Sequence, residues 1–147
     1  MKRLSAFSAV VVAAASLTAA AFAADPSVPT VPAAPAALSG PQLGAPAPQF
    51  HLKTIDGKSV TLDAYRGKTL VINVWATWCP PCRKEMPDLI AAAPKLAKND
   101  VAMLGVDTTE SAPIVRAYAS AKDVSYPQAL DADKTFSNAY DIQYFPT

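Results

Sequence analysis

Two cysteines, Cys79 and Cys82, separated by Pro80 and Pro81, are the residues of this 147-residue chain best suited to chemistry. Three positions apart on a helical turn, their Cα atoms fall within the roughly 4.4–6.8 Å that a disulfide requires. The pair is fit for thiol–disulfide exchange, in which one thiolate attacks and the other resolves the mixed disulfide. If Cys79 opens a helix, unpaired backbone N–H groups and the positive end of the dipole favour its thiolate. A free thiol of pKa about 8.5 is only a few per cent ionised at neutral pH, and bringing it to about 7 takes about 2 kcal/mol. A helix N-terminus in a favourable, partly buried geometry can supply that. Cys79 is therefore the candidate nucleophile, and Cys82, one turn deeper, the candidate resolving thiol. Proline is tolerated in a first helical turn. Pro80 and Pro81 also remove two N–H donors, so their net effect on the thiolate stays open.

Other uses of the pair are weaker. A zinc site needs more ligands, and the single histidine, His51, has strand-like surroundings. A staple between residues three apart closes too small a loop to stabilise much. A cysteine pair after a buried strand in a strand–helix–strand setting reads as redox-active. The charge balance adds no case for nucleic acid. Two of the 13 basic residues, Lys2 and Arg3, lie in the leader, which leaves 11 against 12 acidic groups.

A strand and a helix must position the pair. TLVINVW, residues 69–75, is nearly continuous in apolar and β-branched residues and is expected to be a central strand buried on both faces. Residues 80–98 read as a helix, with Met86, Leu89, Ile90, Ala93 and Leu96 at helical spacing. Pro87 is expected to kink it and Pro94 to break it. Residues 101–106 are a second buried strand, which makes a βαβ unit with parallel strands. Upstream, residues 49–54 and 58–62 flank Ile55-Asp56-Gly57 and predict a hairpin. Residues 63–66 form a turn closed by Gly67. Downstream, Thr109 or Ser111 caps a helix to about Lys122, Tyr126-Pro127-Gln128 is extended, and residues 136–140 are a short helix.

Residues 1–23 have the three parts of a secretory signal peptide: Lys2-Arg3, an apolar stretch over 6–22, and Ala21-Phe22-Ala23 before the cleavage point. An uncleaved membrane anchor is the alternative, since the stretch borders on the roughly 20 residues that span a bilayer. Residues 24–48 form a Pro/Ala-rich linker with seven of the 14 prolines, expected to be extended and mobile. Residues 49–147 are the folded domain. Export puts the cysteines in a periplasmic or other extracytoplasmic compartment where disulfides persist.

The run Val74-Trp75-Ala76-Thr77-Trp78-Cys79-Pro80-Pro81-Cys82-Arg83-Lys84-Glu85-Met86-Pro87 resembles the active-site segment of the thioredoxin superfamily. More narrowly it is similar to the TlpA/ResA-like branch of exported thiol–disulfide oxidoreductases. Asn73, Glu85-Met86-Pro87, the strand end Gly105-Val106-Asp107, and Tyr126-Pro127 with Asp131 carry the narrower likeness. The resemblance implies an α/β, thioredoxin-like three-layer sandwich with a central mixed sheet. The family pattern continues past the proline matched by Pro146 with a hairpin and a helix. The expected fold lacks both, and the chain is expected to be destabilised by its open sheet edge.

The same resemblance implies roles. Glu85 would adjust the thiols or relay a proton, the alternative being a solvated carboxylate paired with Lys84 or a neighbour. Pro146 matches a cis-proline opposite the cysteines, against a trans turn proline. Trp78, Pro80, Pro81 and Pro146 would meet the substrate chain, and Trp75 would pack in the core. Partners would be proteins with disulfides or thiols, apocytochrome c and copper-site proteins among them, with a membrane-bound electron donor and no cofactor. A second reading is an exported Cu(I)-binding metallochaperone using the same thiols, although no histidine follows Cys82. A thiol peroxidase ranks lower because no Thr-x-x-Cys precedes the helix.

Overall fold

The computed structural model of the protein describes residues 40–147. The expected signal peptide and the linker up to residue 39 lie outside the described residues. Leu52 and Val60 are buried between exposed neighbours, the alternation of a one-sided hairpin. They pair across β1 (His51–Thr54) and β2 (Ser59–Thr61), which run antiparallel. Gly57 makes the turn at φ 80°, where a side chain would be strained, and its N–H donates to the Thr54 carbonyl at 2.8 Å. A single 3₁₀ turn (Leu62–Tyr65) leads to β3 (Thr69–Trp75), α1 (Pro80–Ala97) and β4 (Val101–Asp107). Then follow α2 (Ala112–Ala121), β5 (Gln128–Leu130) and α3 (Thr135–Ala139).

The five strands form one mixed sheet in the order β2-β1-β5-β4-β3. The last three are parallel, and β1 is antiparallel to both of its neighbours. On one face Met86 and Ala93 of α1 and Val115 of α2 pack with Trp75, Met103 and Tyr126. On the other, Phe136 of α3 and the 3₁₀ turn's Leu62 and Tyr65 pack with Phe50, Leu52, Leu104 and Ala129. The expected three-layer arrangement around a mixed sheet is therefore present.

Three expectations need correction. Within the described residues β3 is an outer strand, not a central one. Only Asn73, Val74 and Trp75 of it are buried. Its outer edge is met by Thr147, which exchanges backbone bonds with Val74 at 2.7 and 3.2 Å. The second correction concerns α1, which runs unbroken through Pro87 and Pro94. Both prolines sit on its exposed face, where carbonyls freed by the missing N–H groups can bond to water, while the opposite face packs on the sheet. The third concerns the linker, whose last part is fastened to the domain. Tyr140 Oη donates to the Pro48 carbonyl at 2.8 Å, and Gly40 lies so close to Asp141 that a Cβ would approach its Cβ to 2.9 Å.

Candidate active site

The site lies at the carboxyl ends of the parallel strands, where open α/β sheets present their loops. Strand β3 ends at Trp75, Ala76 to Trp78 turn the chain, and Cys79 is the N-cap of α1. Cys79 and Cys82 are joined by a disulfide of 2.03 Å with Cα atoms 5.3 Å apart, as their spacing predicts. Cys79 Sγ accepts the Cys82 backbone N–H at 3.2 Å. Because Pro80 and Pro81 lack an N–H, this donor is the first one the helix offers, and it is aimed at the outer sulfur. The prolines thus thin the cluster of donors without abolishing it.

Access is narrower than the spacing suggests. Cys79 is 3% exposed and Cys82 fully covered, both within the cluster of Trp75, Ala76, Met86 and Tyr126. Cys79 is therefore reached only through a thin window. Exposed Trp78, Pro80 and Pro81 flank it. Trp78 is 58% exposed, with its ring edge-on to Phe145 at 5.8 Å. The order of exposure still favours Cys79 over Cys82 as the sulfur that meets a partner.

Glu85 and Pro146 converge, but not on the disulfide itself. With Asn73, Val71, Ile72 and Leu89 they line a cavity of about 220 Å³. The Phe145–Pro146 peptide is cis. Glu85 is half-buried, makes no ion pair among the described residues, and burial holds its carboxyl above the usual range. Pairing with Lys84 is thereby set aside. Buried Asn73 leaves its Nδ2 without a partner. Trp75 is wholly buried, as a packing role requires.

Gln128 and Glu110 carry no motif and escape a reading of the sequence. Gln128 of β5 accepts the Trp75 indole N–H at 2.9 Å and donates to the Tyr126 carbonyl at 3.1 Å. Tyr126 Oη donates to Met86 Sδ at 3.4 Å, and burial pushes this phenol up. Glu110 accepts both the N–H and the hydroxyl of Thr77 at 2.6 Å. A signal for the loop that carries Glu110 was available: an Asp at a strand end followed by polar residues commonly accepts N–H groups two and three positions on. Among the described residues no group of three or more His, Cys, Asp or Glu side chains converges to hold a metal ion.

Comparison with known proteins gives the same picture. The chain is 32% identical over 106 residues to a thiol-disulfide oxidoreductase ResA of Bacillus cereus, covering 72% of this chain and 61% of that protein. It thus spans about three-fifths of the length of that relative. Among solved structures, a thiol:disulfide interchange protein of the thioredoxin family from Chlorobium tepidum aligns at TM-score 0.60 and 29% identity, over 69% of this chain and 70% of that one. A secreted Mycobacterium tuberculosis disulfide oxidoreductase homologous to Escherichia coli DsbE aligns at TM-score 0.61 and 26% identity, over 67% and 72%. The model of the AhpC/TSA family matches residues 43–146, which takes in the whole sheet and the cysteine pair. The chain belongs to the AhpC/TSA family, and its fold is thioredoxin-like.

Proposed function

We propose that this protein is an exported thiol–disulfide oxidoreductase that reduces disulfides in partner proteins through Cys79 and Cys82. The observation that carries the reading is the disulfide at the start of α1, with the outer sulfur facing the Cys82 N–H. In the reduced protein the Cys79 thiolate attacks a substrate disulfide, and one substrate sulfur leaves as a thiolate. Cys82 then loses its proton and attacks Cys79 Sγ, forming the intramolecular disulfide and releasing the second substrate thiolate. Two electrons pass from the dithiol to the substrate. When Cys79 is the leaving group, the helix N-terminus stabilises the charge that collects on it. Glu85 follows Cys82 by one turn of α1, and burial, which raises its carboxyl, suits it to relay the proton that Cys82 gives up. Trp78, Pro80, Pro81 and Pro146 form the rim met by the substrate chain.

Export is supported by the leader pattern of residues 1–23 and by the secreted relative. Apocytochrome c and copper-site proteins are the substrates that the resemblance of the Val74–Pro87 run to the TlpA/ResA-like branch would imply, and a membrane-bound donor would restore the dithiol. The test is insulin reduction by the purified chain. Cys79→Ser is expected to abolish turnover, and Cys82→Ser to trap a mixed disulfide visible by mass. Turnover that survives Cys79→Ser would refute the assignment.

A further inference from the structure

Two carboxylates at the end of β4 lead by hydrogen bonds to the turn before Cys79. Asp107, 1% exposed, lies in register with Trp75 of β3 and Leu130 of β5. Its Oδ1 accepts the N–H groups of Thr109 at 2.9 Å and Glu110 at 2.7 Å, which folds the loop back over the strand end. Its Oδ2 is buried and has no partner. Glu110 uses both of its oxygens on Thr77, and Thr109 Oγ1 accepts the Trp78 indole N–H at 3.1 Å. The residues immediately ahead of Cys79 are thus tied to a loop that Asp107 itself holds.

We propose that Asp107, acting through Glu110 and Thr109, is a positioning clamp on the Thr77–Trp78 turn that makes the presentation of Cys79 dependent on pH. The proposal rests on the redox reading of Cys79 and Cys82. A buried, charged oxygen without a donor is costly, and a proton on Asp107 lowers that cost by removing the charge. Burial first, and then the side chain and charge of Glu110, push Asp107 up to about 6 against the two backbone N–H groups that hold it down.

Among the described residues no cation offsets this pair. The ion pairs there are Arg66 with Asp63 and Arg116 with Asp56. From β3 the neighbour is neutral Trp75. Just past the end of β5 it is Asp131, whose carboxylate is turned to the N–H groups of Phe136 and Ser137. Within the loop the Thr108 hydroxyl is buried and neutral. Once Asp107 loses its proton, its charge repels that of Glu110, the hold on Thr77 weakens, and the added negative charge opposes thiolate formation at Cys79.

The test is alkylation of the reduced 147-residue chain by iodoacetamide as a function of pH, in a Cys82→Ser background so that one thiol reports. Below the thiol's own titration the logarithm of the rate should rise with unit slope. The clamp predicts a shortfall of about threefold, centred near the Asp107 titration at about 6. Asp107→Asn, which is neutral at every pH, should restore the unit slope. Thr77→Val, which removes only the hydroxyl of a half-buried residue, should change the rate severalfold at every pH, and Thr77→Ser should restore it. A shortfall that persists in Asp107→Asn, or Thr77→Val alkylating at the parental rate, overturns the clamp. A parent thiol inert at every pH would instead sink the redox reading itself, so the two failures are told apart.

Discussion

Gly105 faces the Gln128 side chain across the β4–β5 pairing, and its lack of a Cβ makes room for it. A Cβ built at Gly105 would lie 2.6 Å from Cδ and 2.7 Å from Nε2 of Gln128. Both are closer than real Cβ contacts allow, so in Gly105→Ala the amide must move. Gln128 is almost fully buried, and its amide holds the Trp75 indole N–H and the Tyr126 carbonyl. Displacing it orphans a buried donor and a buried acceptor, each worth about 1–3 kcal/mol when left unsatisfied. Partial repacking keeps the sum near the lower end, and the expected loss is about 3 kcal/mol. At an m-value of about 1.5 kcal/mol/M in urea, the unfolding midpoint should fall by about 2 M. The assay is urea unfolding of the oxidised chain, followed by far-ultraviolet circular dichroism and tryptophan fluorescence. The mechanism makes a sharper demand through a double-mutant cycle. Gln128→Ala alone should cost about 2 kcal/mol by orphaning the same indole. Adding Gly105→Ala to it should cost less than about 1 kcal/mol, because the obstructed side chain is gone. Equal costs of Gly105→Ala in the two backgrounds would refute the reasoning.

Asp107→Asn should stabilise the protein at neutral pH and not at pH 4. The folded-state carboxyl is raised from 3.8 to about 6, so the folded state binds the proton more tightly and wild-type stability falls as pH rises through that window. The difference between variant and wild type in urea melts at about pH 7.5 and about pH 4 should approach, at most, about 3 kcal/mol, and its absence would refute the sign. Glu85→Gln removes a carboxyl one turn of α1 beyond Cys82. The Cys79 titration, followed by thiolate absorbance, should then move to lower pH, and an unchanged curve would remove Glu85 from the mechanism. Asp131, wholly buried, holds the N–H groups of Phe136 and Ser137 at 2.9 Å each. Asp131→Ala should cost about 2–4 kcal/mol in urea unfolding, against less than about 0.5 kcal/mol if α3 is held by packing alone. Cys79→Ser should lose insulin reduction altogether while still folding, as judged by circular dichroism.

Much of this was legible in the order of the residues because it is local. The spacing of Cys79 and Cys82 led to a disulfide on one helical turn, Asp56-Gly57 to the hairpin, and TLVINVW to a strand with the bounds of β3. Each depends on neighbours within a few positions, where backbone sterics and periodicity act. The error at Pro87 and Pro94 has a physical cause too. Propensity prices each proline alone, whereas α1 is held by a whole face against the sheet.

What only the tertiary structure decided are the contacts that join distant parts of the chain. Thr77 meets Glu110 across 33 positions, and Trp75 meets Gln128 across 53. No periodicity links such pairs; they exist because the parallel pairing of β3, β4 and β5 sets their carboxyl ends side by side. Burial of Cys79 is decided in the same way, by which surfaces the crossing chain happens to cover. The residues by themselves specify a sulfur pair and the turn that carries it. How far the sulfur is covered, and which carboxylates stand behind it, follow from desolvation and strand order, which exist only once the sheet has formed.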